Sequence, residues 1–372
     1  MMTGNIMDYL DWYGDFDFSV LPFNDVDNLI LAELSYASLD GIVKEPQLGR
    51  KLRTISVKDA ADELSKSGRM EKSCKLEQNA GQLLLEMAKG KRFSDALLAG
   101  YVDKHDFKNQ EQFSALHIYL PDGTLFVSYS GTDDTILGWK EDLNMAYQMP
   151  VPSQEEAVEY LEKTVPHDGR MIRIGGHSKG GNLAIYAAVM CYDRLKRRII
   201  GIYNNDGPGF LESMLERKSY LEVKDRIKTI VPETSIVGML LEHGDSYEIV
   251  KSTGKGIMQH DGLSWQVYKN GFVKLDERSK ESLVIDKTIS TWVMGLSDNE
   301  RVAFVDAVYD MLTGAGINYL SELEQYKPAT LNSMVKEMSS MEPEKAKMVR
   351  RIIRALISEY GKNVVSGIRG VR

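Results

Sequence analysis

The chain of 372 residues carries 46 Lys and Arg against 54 Asp and Glu, a formal net charge of −8, so no overall basic surface recommends nucleic acid as a partner. Cys74 and Cys191, its two cysteines, are too few for a disulfide framework or a cysteine-rich zinc site. No window of about 18 uninterrupted apolar residues occurs, and Met1 to Tyr13 is acidic where a secretory signal needs a basic start and an apolar core, so the expectation is a water-soluble, cytoplasmic protein.

Asn24 to Tyr36 sets Val26, Leu29, Ile30, Leu31 and Leu34 along one broad helical stripe, with Asn24 and Asp25 as candidate N-caps. From Val57 to Met87 apolar residues are sparse in a polar, helix-prone stretch, which predicts helices with an exposed face, part of a helical insertion over about 40–110. The sheet is expected to begin at Phe113. Ser114 to Leu120 and Thr124 to Tyr129 are β-rich runs joined by Pro121-Asp122-Gly123, where proline presets φ and glycine accepts positive φ, so they form a hairpin. Further strands follow at Arg170 to Ile174, Ile199 to Tyr203, Ile227 to Val231 and Tyr247 to Lys251, with helices at Ser153 to Lys163 and Gly181 to Leu195. Such alternation calls for parallel strands joined by right-handed crossovers.

After about Leu275 the pattern is amphipathic helix. Ser297-Asp298-Asn299-Glu300 is a capping box, followed by Val302, Phe304, Val305, Val308, Tyr309 and Leu312 at helical spacing. Met348 to Tyr360 interleaves Arg350, Arg351 and Arg354 with Ile352, Ile353, Leu356 and Ile357. That face suits docking on the protein's own core, and it also suits peripheral contact with an acidic membrane.

Chemistry concentrates between Met171 and Ala188, which reads as a strand, the turn Gly176-His177-Ser178-Lys179-Gly180 and a helix of small residues. This is the pattern of the nucleophile elbow of an α/β-hydrolase. The fold class is therefore α/β, a mostly parallel sheet flanked by helices, with the hydrolase domain over 1–275 and a helical extension over 276–372. Ser178 is the candidate nucleophile. A serine hydroxyl needs an imidazole to take its proton and a carboxylate to fix the imidazole tautomer, and in this fold the order is Ser, acid, His.

His260, in a loop beyond the strand Tyr247 to Lys251, is preferred as base over His243, which precedes that strand. Asp206, held in Asn204-Asn205-Asp206-Gly207-Pro208-Gly209 at the C-terminal edge of the sheet, is the favoured acid, with Glu233 after the next strand as the alternative. For the oxyanion hole, the backbone N–H of Lys179 is one candidate donor. Thr132, in Ser130-Gly131-Thr132, is the other. No His-Glu-x-x-His or clustered histidine ligands occur, so neither metal nor cofactor is expected.

Tyr129-Ser130-Gly131-Thr132, Gly138-Trp139-Lys140-Glu141-Asp142-Leu143 and Gly176-His177-Ser178-Lys179-Gly180-Gly181 resemble motifs of the class 3, fungal-type lipases. More of the chain, including Asp8 to Asp15, Pro22 to Leu29, Asn205 to Phe210, Ser235 to His243 and Gln259-His260-Asp261, is similar to an uncharacterised bacterial family of lipase-like α/β-hydrolases. The resemblance implies Ser178 as nucleophile, Thr132 as oxyanion donor and His260 as base. Three departures stand out: Ser130 replaces the lipase arginine, Lys179 replaces the leucine after the nucleophile, and Ser235 stands where a lipase places its acid. The expected activity is hydrolysis of a small acyl ester, a thioester or a lysophospholipid. The alternative is a catalytically silent hydrolase scaffold that binds a partner.

Overall fold

A computed structural model describes residues 3–47, 50–70, 75–106, 111–133, 135–145, 148–235, 237–238, 241–244, 247–279, 282–283, 296–314, 316, 343 and 347. The chain divides into two compact units, one of residues 1–105, 113–133 and 152–278, the other of 106–112, 134–151 and 279–372.

The first unit opens with helices α1 (Ile6–Tyr13) and α2 (Asp25–Leu34). Each starts with a capping box. At α2 the Asn24 Oδ1 accepts the Val26 N–H at 2.9 Å and the Asp27 carboxylate accepts the Asn24 N–H at 2.9 Å, so first-turn donors that the helix itself leaves without acceptors are satisfied. Every residue of α2 from Val26 to Leu34 is buried. A helix hidden on all sides must be enclosed by other elements, and it carries two acids, Asp27 and Glu33, into the core. Asp27 pairs with the fully buried Arg92.

Strand β1 (Thr54–Ser56), helices α3 (Val57–Ser67) and α4 (Lys75–Met87), and strand β2 (Leu97–Asp106) come next. The sheet thus starts well before Phe113: β1 pairs antiparallel with β2, Ile55 opposite Leu98, and the 40–110 segment is not wholly helical. Strand β2 escaped pattern reading because Leu98 to Tyr101 are buried in succession, which erases the alternation that marks a half-exposed strand, and because Gly100, at φ +62°, reads as a breaker.

Strands β3 (Glu111–Tyr119) and β4 (Leu125–Tyr129) form the expected hairpin, and β5 (Ile172–His177), β6 (Ile199–Asn205), β7 (Ile227–Pro232) and β8 (Glu248–Val250) continue from β4 in parallel. Among the described residues the main sheet runs β1 to β8 in sequence order and ends on β11 (Lys274–Leu275), while β9 (Val267–Tyr268) and β10 (Gly271–Phe272) form a separate ribbon. Parallel neighbours in sequence order, linked by right-handed crossovers, place their connecting helices on one face. Helices α6 (Pro152–Thr164) and α7 (Lys179–Met190) lie there, and the Tyr129 hydroxyl of β4 donates to the Ala157 carbonyl at 2.9 Å. The other face belongs to α2. Ser128, one residue earlier on β4, donates to the Leu31 carbonyl at 2.9 Å, and the side-chain amides of Asn28 and Asn205 exchange hydrogen bonds at 2.8 and 3.2 Å. Period-two alternation along β4 therefore serves both layers. This parallel run with a helix started by the residue after Ser178 is an α/β-hydrolase fold.

In the second unit, α5 (Ile136–Asn144) packs with a long helix, Asp298–Gly314, and the Lys140 ammonium lies 2.8 Å from the Asp306 carboxylate and over the Tyr309 ring. The long helix begins with the expected capping box: Ser297 donates its N–H to the Glu300 carboxylate at 3.0 Å. The arginine-bearing segment Met348 to Tyr360 lies outside the described residues. Among the described residues no helix is long and apolar enough to cross a membrane.

Candidate active site

Strand β5 ends at His177 and α7 starts at Lys179, leaving Ser178 as the whole connection, at φ 55° and ψ −135°. A non-glycine residue in this region costs about 1–3 kcal/mol and persists only where its surroundings enforce it. Here glycines do so. A Cβ on Gly176 would run into the backbone of Gly180 and the Tyr129 carbonyl, and one on Gly180 would strike that same carbonyl. With both positions bare, α7 can start hard against β4 and β5. The Ser178 N–H donates to the Asn205 carbonyl at 2.9 Å, which ties the elbow to the end of β6.

Asp206 is the next residue along β6, and it too has positive φ, 52°. Its carboxyl is fully buried and takes hydrogen bonds from His260 Nδ1 at 2.7 Å, from the Ser235 hydroxyl and from the Gly238 N–H. Burial pushes its pKa up, and the bonds from His260, Ser235 and Gly238 pull it back only in part. Glu233, half-buried after β7, makes no side-chain hydrogen bond or ion pair with any described residue. The two candidate acids are thus separated by geometry: Asp206 meets the imidazole of His260.

Ser235, which stands where the lipase pattern has its acid, donates instead to Asp206. Asp206 and the hydroxyl that supports it follow neighbouring strands, β6 and β7. His243 Nε2 donates to the Gly238 carbonyl, so the runner-up base braces the loop whose N–H supports Asp206.

The His260 loop is held at three points. The Trp265 indole donates to the Gln259 carbonyl at 2.9 Å, the Gln259 side-chain oxygen accepts the Thr234 N–H at 2.8 Å, and His177 Nε2 reaches the His260 carbonyl at 2.7 Å. With Nδ1–H engaged by Asp206, Nε2 of His260 is the basic nitrogen.

Gly131 closes the other side. A Cβ there would sit 2.6 Å from the His177 carbonyl, 2.9 Å from the Ser178 Cβ and against the Tyr36 hydroxyl, so the backbone before Thr132 approaches Ser178 as closely as glycine permits. Lys179 is the first residue of α7, and its N–H lies at the positive end of that helix. Its side chain is 1% exposed. The ammonium charge acts on His105, which bonds Asp133 at 2.6 Å, and that bond raises the His105 pKa. Nearby Asp103 is pushed up to about 6 by burial. A cluster of charge therefore adjoins Thr132 and the elbow.

Pattern reading missed Tyr36, Glu33, His177, Ser235, Gln259 and Trp265 as parts of this site. Most of their partners are distant in sequence; His177 beside Ser178, Gln259 beside His260 and Ser235 in the place of a lipase acid carried a local hint.

Solved structures of lipases are among those that resemble the chain. A crystal structure of M37 lipase is 16% identical over 59% of this chain and 70% of that one, with a TM-score of 0.36; a fungal lipase in complex with an inhibitor is 13% identical over 55% of this chain and 83% of that one, with a TM-score of 0.32. The strand order and the elbow, rather than these likenesses, define the fold. No match emerges among curated proteins. The model of the Mbeg1-like family matches residues 87–310, a stretch that contains Thr132, Ser178, Asp206 and His260. Because that match spans more than half of the chain, the protein belongs to the Mbeg1-like family.

Proposed function

We propose that the protein is a serine hydrolase of carboxylic ester or thioester bonds. The observation that carries this reading is the 2.7 Å bond between His260 Nδ1 and the buried Asp206, beside a serine in a strained strand-to-helix turn. In the proposed reaction His260 Nε2 takes the Ser178 proton as Oγ attacks the acyl carbon, and Asp206 stabilises the imidazolium that forms. The Lys179 N–H and Thr132 receive the oxyanion, each donor contributing about 3–4 kcal/mol. His260 then returns the proton to the leaving oxygen or sulfur, and water repeats the sequence to release the acid.

A fluorophosphonate probe is expected to label the protein at neutral pH and to leave Ser178→Ala unlabelled. An unreactive wild type would favour a silent scaffold that binds a partner.

The replacement of the lipase leucine by Lys179 and of the lipase arginine by Ser130 supports a short or polar acyl group rather than a long one. Across nitrophenyl esters from acetate to palmitate, kcat/KM is expected to peak at short chains. A steady rise to palmitate, at up to about 0.8 kcal/mol per methylene, would instead mark a lipase.

A further inference from the structure

One buried acid near the site has no place in the triad. Glu33, on α2, is 3% exposed, and its Oε1 has no hydrogen-bond partner among the described residues. A Cβ on Gly262, two residues after His260, would run into it. Burial holds its carboxyl well above the usual range, and the charge of Asp261 adds to the rise. Facing it is His177, with Nδ1 3.4 Å from Oε1.

The other nitrogen of His177 decides where the protons sit. Nε2 lies 2.7 Å from the His260 carbonyl oxygen; a carbonyl only accepts, so Nε2 carries a proton. Burial, aided by the charge of His260, holds the His177 pKa well below its ordinary value, so a freely charged imidazolium is disfavoured. In the neutral ring Nδ1 is a lone pair. A Glu33 carboxylate would then set a buried negative oxygen against that lone pair. One proton between them removes the conflict. The Tyr36 hydroxyl, 3.1 Å from Nδ1 and 3.3 Å from the His177 carbonyl, is the third polar group at this point.

We infer that Glu33 and His177 hold one proton between them as a neutral pair, and that this pair positions the base by keeping the His177 Nε2–H on the His260 carbonyl. Glu33 and His177 are thus positioning residues: they act through the His260 loop. The effect on rate rests on the hydrolase reading; the shared proton does not.

The full-length protein, labelled with ¹⁵N-histidine, is expected to show His177 with its proton on Nε2 and no titration between about pH 5 and 9. Glu33→Gln, whose amide also donates to Nδ1, should keep that tautomer and a fluorophosphonate labelling rate within about threefold of wild type. Glu33→Leu has no donor and should slow labelling about tenfold or more, with kcat for a nitrophenyl ester falling and KM little changed, as expected when a base is displaced by a fraction of an ångström. Titration of His177 near neutrality in the wild type would overturn the shared proton. Labelling of folded Glu33→Leu at the wild-type rate would overturn the positioning role. A wild type that resists the probe would count against the hydrolase reading alone, because the His177 tautomer is read without catalysis.

Discussion

Asp206→Asn is expected to lower kcat/KM for a short nitrophenyl ester by about 10⁴, or about 5.5 kcal/mol of transition-state stabilisation. The change preserves shape. Because the Ser235 hydroxyl donates to Oδ1, the asparagine oxygen remains there and its NH₂ turns to His260. His260 Nδ1 must then accept, which places the ring proton on Nε2, and an N–H cannot take the serine proton. Glu233→Gln should stay near wild type, as its side chain holds no partner among the described residues. Steady-state kinetics on both variants decides the point: loss in Glu233→Gln with Asp206→Asn unharmed would transfer the role of acid to Glu233.

The second large effect concerns stability. Arg92 is fully buried and donates from Nε and Nη2 to the Asp27 carboxylate at 2.7 and 2.5 Å, and from Nη1 to the Phe16 and Leu21 carbonyls at 2.9 Å each. Its guanidinium also stacks on Phe18 at 4.2 Å. Arg92→Leu leaves a buried carboxylate without its cation and the Phe16, Leu21 and Pro22 carbonyls without their donor, and the expected loss is about 3–5 kcal/mol, read as a lower midpoint in urea. The double variant Asp27→Leu with Arg92→Leu should recover part of that loss, since the uncompensated charge goes with the aspartate. An unchanged midpoint for Arg92→Leu would show the ion pair to be energetically idle.

What pattern reading could find, and what it could not, follows from how locally each feature is determined. The elbow was legible because the backbone at Gly176 and Gly180 tolerates no side chain, a constraint written in adjacent letters. Parallel strands β5 to β7 announced themselves through apolar runs between helices. The hairpin at Pro121-Asp122-Gly123 did so through its turn chemistry. Strand β2 did not, since burial on both faces removes the alternation on which strand recognition depends. The Asp206–His260 pair was half legible: fold order narrowed the choice, but the preference over Glu233 needed the contact itself. Ser235 shows the limit most clearly. Its position suggested a missing acid, whereas its hydroxyl supports an acid contributed by the neighbouring strand.

The enclosure of α2 has a consequence for how the chain reaches its native state. Asn28 is synthesised 177 residues before the Asn205 it bonds, an interval of roughly 10–35 s at ordinary translation speeds. Until then a helix whose residues from Val26 to Leu34 are all to be buried lacks part of the sheet that will cover it. Its lasting partners form late and across a long loop, the condition that slows folding and leaves sticky surface open to other chains. The matched family segment begins at residue 87, after this helix; a protein cut at that boundary would keep Ser178, Asp206 and His260 yet expose the sheet face that α2 covers. The helix is therefore as much a part of the folding unit as the loops that bear Ser178, Asp206 and His260.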